Sequence, residues 1–427
     1  MPGDGKAGGV RKKIIFPRSE GIIYEAKISS SARTAAAKPK PFAPVIDIEA
    51  LVRERLDAPE ILFLSSAARE SGGALIICDD ITRPTPTGKI IPALSDFLAA
   101  NGVPVEKQHV LFATGTHRAM NAKEAEKKLG ASYGRISWSN HSYNAALLRI
   151  GVTAGGIPVD INPVVKEYAC VIGVGSVFPH RYCGWSGGGK IILPGVSGAT
   201  AVAATHWMPY EDPSITLGSN DNLAMREIAS ASDIAGLSFL IQVICSGDGK
   251  VMDIVTGRPA PAHRRAIEIA SRHMKVTMPQ SDIVIAEAWP EEADLWQAGK
   301  ALYAAENIVS DGGDIIIIAA LTEGFGPHRL YAELMNKSVS EIISYRNGDE
   351  NSSIAAAAAF VTAQVRKKAK ISIVTNSPYS VNITEVTGIR TYKTLQEAVD
   401  KVFSLKKTVA VLYQAPLMLP VREETVR

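Results

Sequence analysis

Cysteine is scarce in this chain. Cys78, Cys170, Cys183 and Cys245 are widely spaced and form no CxxC pair, which speaks against a disulfide framework and for reduced thiols. Long apolar runs are missing too. No stretch reaches about 18 uninterrupted apolar residues, so no membrane span is expected. Neither charge sign dominates: 46 Lys and Arg against 43 Asp and Glu leave a net charge of +3. That balance, without a long basic run, gives no reason to expect nucleic acid as a partner. The first residues are glycine-rich, carry Arg11, Lys12 and Lys13, and lack an apolar segment. They do not read as a secretory signal, and a cytoplasmic location is expected. No repeat with a period of 20–50 residues is visible.

What is present reads as an enzyme of ordinary composition. The chain has 427 residues, 46% hydrophobic and 21% charged, enough for two or three domains with substantial cores. Residues 1–9 are expected to be weakly ordered, and residues 12–26 alternate as a hairpin turning at Ser19, Glu20 and Gly21. Residues 29–44 are polar and hold Pro39, Pro41 and Pro44, the composition of a linker. Residues 46–56 and 59–70 read as helices. A strand–helix rhythm follows, with strands at 74–78, 110–113, 159–162, 170–174 and 237–245, and helices at 88–101, 122–129 and 220–231. After a helix at 261–273 and a crossing point at 276–281, a second rhythm begins. Its strands are placed at 282–286, 314–319, 371–375 and 408–412, and its helices at 295–309, 352–367 and 395–403. Alternation of this kind implies α/β architecture, each domain a mainly parallel sheet flanked by helices. The boundary falls near Lys275: residues 1–274 form an N-terminal domain and 275–427 a C-terminal one.

The segment from Pro179 to Trp207 concentrates the chemistry. It carries His180, a glycine run ending Gly187-Gly188-Gly189-Lys190, and Thr205-His206-Trp207. Glycines let backbone N–H groups approach an anion closely, and a lysine after them can neutralise phosphate. A histidine beyond can ligate a metal. Gly184, Gly189 and Lys190 match the start of a phosphate-binding P-loop, but that motif continues with Ser or Thr for Mg²⁺. Ile191 and Ile192 stand there, and no apolar strand precedes the glycines, so a nucleotide triphosphatase is disfavoured.

Two strand ends are unusually polar, and in parallel sheets ligands gather at strand ends. The first runs Asp79-Asp80-Ile81-Thr82-Arg83-Pro84-Thr85-Pro86. Asp80 and Arg83, three apart on a turn stiffened by prolines, can orient a histidine and hold a carboxylate; a structural ion pair is the alternative. The second runs Ala113-Thr114-Gly115-Thr116-His117-Arg118, where His117 is well placed for proton transfer. In the C-terminal half, Trp296 and Lys300 share one face of a helix beside Gln297, a set that can bind a carboxylate or serve as a solvated face. His141 is a weaker candidate, and His109, His263, His273 and His328 default to structural roles.

Taken together these motifs resemble the nickel-pincer lactate racemase family. The resemblance rests on Asp80-x-x-Arg83-Pro84, Ala-Thr-Gly-Thr-His117-Arg, Pro179-His180, Gly-Gly-Gly-Lys190, Leu-Pro-Gly195, Thr-His206 and Asp294-x-Trp296-Gln297-x-x-Lys300, and covers most of the chain in order. It implies a two-domain α/β enzyme with its active site in the interdomain cleft. It implies a cofactor, the pyridinium-3,5-bisthiocarboxylic acid mononucleotide, joined covalently to Lys190 and carrying nickel. His206 would be the nickel ligand, a donor that suits the metal, with Gly187, Gly188, Gly189 and Trp296 around the cofactor. His117 and His180 would exchange protons with the substrate hydroxyl, one for each enantiomer, and Asp80 would orient one of them. Arg83, Gln297 and Lys300 would hold substrate oxygens. The implied reaction is hydride transfer through a 2-keto acid.

Two positions depart from the family pattern. Trp296 stands where tyrosine is expected, and Arg181 where an aromatic residue is expected, which points to a 2-hydroxy acid other or larger than lactate. The expected partners are that small-molecule substrate and, transiently, the proteins that make the cofactor, with no nucleic acid and no membrane. The alternative reading is a non-catalytic carrier of the pincer cofactor or of an anionic ligand.

Overall fold

The structure is a computed structural model that describes residues 11–17, 23–57, 64, 66–67, 70, 72–404 and 407–423. The expected disorder of 1–9, the turn at Ser19–Gly21 and most of the helix expected at 59–70 lie outside the described residues. The chain divides into two compact units. One comprises Lys40–Met274 and Ile343–Ala358; the other comprises Met1–Pro39, Lys275–Ile342 and Ala359–Arg427.

The first unit is built on a six-stranded sheet. Its strand order is Val251–Gly257, Leu237–Cys245, Cys170–Ser176, Ala74–Asp79, Gln108–Ala113, Ser137–Asn140, and only the Val251–Gly257 edge is antiparallel. Strand Ala74–Asp79 explains why the sequence reads as a continuous apolar run. Ile76 and Cys78 enter a core with Ile90, Leu94, Val110 and Phe239, while Leu75 and Ile77 enter a separate core with Leu111, Ile192, Ile228 and Leu240. A strand buried on both faces needs apolar residues at every position. Helices Ile48–Leu56 and Thr87–Ala100 supply the first core, and Ala199–Glu211 and Leu223–Ala235 the second.

The main sheet of the second unit has six strands, all parallel, in the order Arg390–Tyr392, Ala369–Val374, Val309–Ile318, Ser281–Glu287, Val409–Leu412, Thr34–Ala37. Two sequence expectations give way here. Residues 34–37 are not linker: they form an edge strand, with Val409 N donating to Arg33 O and Tyr413 N to Ala37 O, both at 2.9 Å. Three consecutive alanines carry no apolar signal strong enough to reveal a strand. The hairpin strands Arg11–Pro17 and Ile23–Ser29 likewise group with the C-terminal sequence. Phe16, Tyr24, Ala26 and Ile28 are buried with Ile283, Ile285, Ile316 and Val411, so a single cut near Lys275 does not describe the packing. The crossing point expected at 276–281 contains a further strand, Lys275–Met278, parallel to Leu419–Arg422. Among the described residues no helix is long and apolar enough to cross a membrane.

Candidate active site

In the first unit the polar candidates hang from the C-terminal ends of neighbouring parallel strands, where α/β sheets open their ligand crevices. Strand Ala74–Asp79 leads into the turn that bears Asp80 and Arg83, whose amide donates to Asp80 O at 3.2 Å. Strand Gln108–Ala113 leads into a turn in which His117 N donates to Thr114 O at 2.8 Å. This brings His117 Nδ1 to 2.8 Å from Asp80 Oδ2. A carboxylate only accepts, so Nδ1 carries the proton and the neutral ring keeps its lone pair on Nε2. Asp80 also accepts from Thr82 N at 3.1 Å and Thr82 Oγ1 at 2.5 Å. Burial alone would raise its pKa, but His117, Arg83 and the Thr82 hydroxyl together hold the carboxyl well below the usual range.

Strand Cys170–Ser176 leads to a two-residue ladder that pairs His180 with Gly184. Gly184 has φ 84°, and a Cβ there would lie 1.8 Å from Ser219 O, so only glycine closes this ladder. The Tyr182 amide donates to His180 Nδ1 at 3.3 Å. His180 Nδ1 is thus an acceptor, and its neutral ring carries the proton on Nε2, the reverse of His117. Cys183 Sγ lies 3.5 Å from the same Nδ1, and Lys190 Nζ donates to that sulfur at 3.4 Å. The Tyr182 ring sits between two imidazoles, its centroid 5.7 Å from His180 and 4.7 Å from His206. His206 lies on helix Ala199–Glu211, where its Nδ1 donates to Val202 O at 2.8 Å, so the neutral ring presents an Nε2 lone pair. Lys190, Cys183, His180, Tyr182 and His206 therefore form one run of contacts. Gly115 N donates to Gly195 O at 3.0 Å, which joins the His117 turn to the same segment.

The glycines before Lys190 serve packing. Gly187 and Gly188 have φ 82° and 58°. A Cβ on Gly187 would meet Gln242 Oε1 at 2.6 Å, one on Gly188 the His263 ring at 2.5 Å, and one on Gly189 Ser232 Oγ at 2.8 Å. The Gly188 amide, which sequence reading offered to an anion, donates to Gln242 Oε1 at 2.7 Å, and His263 Nδ1 lies 3.0 Å from the same oxygen. Ile191 and Ile192 are buried in the core, which accounts for apolar residues where a P-loop has a hydroxyl. Burial first, and the Lys190 charge second, push His263 down to about 4.

His141 proves structural. Its backbone N donates to Phe112 O at 3.0 Å, its carbonyl accepts from Thr114 Oγ1 at 2.9 Å and its Nε2 bonds Ser197 O at 3.0 Å. Burial lowers its pKa to about 4 despite the Ser197 carbonyl. Arg181 is also engaged structurally, its guanidinium donating to Ile215 O at 2.7 Å.

Trp296, Gln297 and Lys300 belong to the other unit, on helix Leu295–Glu306 capped by Asp294, whose side chain accepts from Gln297 N at 2.8 Å. Lys300 Nζ lies 2.7 Å from Glu291 Oε2 and donates to Gln297 Oε1 at 2.8 Å. Trp296 packs on His328 and Tyr331, with centroids at 4.8 and 5.1 Å.

Known proteins bear on this arrangement. The lactate racemase N-terminal domain matches residues 22–218, and the lactate racemase C-terminal domain matches residues 276–416. The chain belongs to the lactate racemase family. The chain is 28% identical over 295 residues to the lactate racemase of Thermoanaerobacterium thermosaccharolyticum, covering 65% of this chain and 68% of that protein. It is 28% identical over 331 residues to the lactate racemase of Lactiplantibacillus plantarum, covering 76% of each. The fold agrees with the lactate racemase apoprotein structure from T. thermosaccharolyticum. The TM-score is 0.86 at 23% identity, over 97% of this chain and 100% of that one. A Thermotoga maritima protein of known structure aligns with a TM-score of 0.69 at 21% identity, over 90% and 100%.

Beside the family motifs the structure adds residues that sequence reading passed over. Gln242 had a signal, an amide inside the apolar strand Leu237–Cys245. Lys128 had none, since helix Ala122–Leu129 carries other lysines at its surface.

Two outcomes follow. Gly188→Ala should lower stability by about 2 kcal/mol or more in urea unfolding, against about 1 kcal/mol for Gly236→Ala; Gly236 also has positive φ but open space around it. Equal losses would contradict the packing account. His141 and His263 have folded pKa values below the unfolded value of about 6.5, so the unfolded chain binds more protons between those limits. Stability should therefore fall as pH drops from about 6.5 toward about 4, by on the order of 1.4 kcal/mol per unit from His141. His141→Gln should flatten that slope; an unchanged slope would contradict the assignment.

Proposed function

We propose that this chain racemises or epimerises a 2-hydroxy acid, with a nickel-pincer nucleotide joined to Lys190 and its nickel ligated by His206. Family membership makes the chain an isomerase. The observation that carries the rest is the contact run from Lys190 through Cys183, His180 and Tyr182 to His206, with His117 on the adjoining turn.

The donor set fits such a group. The resemblance implies that the cofactor itself brings the other nickel ligands, so that the protein need offer only one. One imidazole with Nε2 directed by a carbonyl on Nδ1 is a suitable protein ligand. When bound, the group supplies a hydride acceptor and donor.

The chain's own residues then handle the proton and the charge. Racemisation requires C2 to become planar, which a 2-keto acid provides. With its lone pair on Nε2, His117 is set to take the hydroxyl proton of one enantiomer. The return of a proton to the oxygen needs a histidine in its imidazolium form, a role assigned to His180; the roles exchange for the reverse direction. Asp80 fixes the orientation of the His117 ring. Arg83 is assigned to the substrate carboxylate, which a guanidinium binds through two parallel hydrogen bonds, and Gln297 and Lys300 to the remaining oxygens. Trp296, in place of the family's tyrosine, favours a substrate other than lactate or larger than it.

The test is isotopic. Cofactor-loaded protein should interconvert enantiomers across a panel of 2-hydroxy acids, and a C2-deuterated substrate should keep its label. Label lost to solvent would mean direct proton abstraction from carbon. Full loading without interconversion would leave a carrier protein.

A further inference from the structure

Lys128 and Asp79 form a buried ion pair that takes no part in the chemistry assigned above. Lys128 Nζ lies 2.9 Å from Asp79 Oδ1, and the two side chains are only 5% and 12% exposed. The same ammonium donates to Arg83 O at 3.0 Å and to Thr85 O at 3.3 Å. The second oxygen of Asp79 accepts from the Thr85 hydroxyl and from Ser176 N, the latter at 3.3 Å. Helix Ala122–Leu129 is held in place, since Thr87 Oγ1 donates to Lys128 O at 2.6 Å.

A buried pair of this kind is weak evidence for stability, because apolar residues of like volume often serve as well or better. Its geometry offers another use. The turn from Asp80 to Pro86 contains prolines at 84 and 86, which lack N–H donors. The turn therefore has few groups of its own to satisfy its carbonyls. Lys128 supplies one to the carbonyl of Arg83, the residue assigned to the substrate carboxylate, and adds a second donor to Thr85 O, which also accepts from Thr87 N at 2.9 Å. Through Ser176 N, Asp79 also ties this turn to the strand that leads to Pro179 and His180.

We propose that Lys128, acting with Asp79, is a positioning residue that sets the Asp80–Arg83 turn and through it the His117 imidazole. The proposal rests on the function proposed above for Asp80 and Arg83. The test is the double variant Asp79→Leu/Lys128→Met, which removes both charges and leaves an apolar filling. It should fold and melt within a few degrees of wild type, and its Lys190 adduct, read by intact mass, should load fully. Amide exchange at Thr82, Arg83 and Thr85 should quicken at least about tenfold, and kcat of the loaded enzyme should fall at least about tenfold. Unchanged exchange would overturn the proposal, as would quickened exchange with unchanged kcat. If the double variant fails to fold, the pair is a stability element and the proposal also falls. A wild-type chain inactive on every hydroxy acid would defeat the proposed function instead, while exchange would still decide whether the turn is clamped.

Discussion

The Asp79 carboxylate is the constraint on which the site in the first unit depends. It sits at the last position of a central parallel strand, where the regular ladder ends and the polar loops begin. One oxygen meets Lys128, and the other meets Thr85 and the end of the next strand. A charge so placed is costly unless its surroundings are fixed, because every donor that leaves it exposes an unpaired anion in the protein interior. Its neighbours are thereby held, and they include the turn that carries Asp80 and Arg83.

From that base the two candidate acid–base residues differ in a way that hydrogen bonding alone determines. His117 faces a carboxylate and His180 a backbone N–H. Their neutral rings thus place the proton on opposite nitrogens. The Lys190 segment is set by different means: three glycines packed against Gln242, His263 and Ser232 give the lysine its position. The glycine run is there because neighbouring side chains fill the space a Cβ would occupy.

Much of this was legible in the sequence. Buried strands such as 74–78 announce themselves by continuous apolar residues. Asp80 and His117 stood out as polar clusters directly after buried strands, and His180 as part of the glycine-rich segment that ends at Lys190. What stayed hidden depends on long-range contacts. The strand at Thr34–Ala37 exists because a distant strand, Val409–Leu412, offers it an edge. Helix Ala199–Glu211 has apolar residues on all sides and so shows no periodic face in the sequence. Lys128 looks like any surface lysine until the fold encloses it, and the use of the Gly188 amide depends on Gln242, more than fifty residues later.

The account stands on Lys190 as the attachment point of a metal-bearing nucleotide. Intact mass of protein made in a host that synthesises the cofactor tests it most directly. A covalent adduct is expected on the wild-type chain, mapped to the Lys190 peptide and absent from Lys190→Ala. An unmodified Lys190 in protein that racemises its substrate would contradict the account.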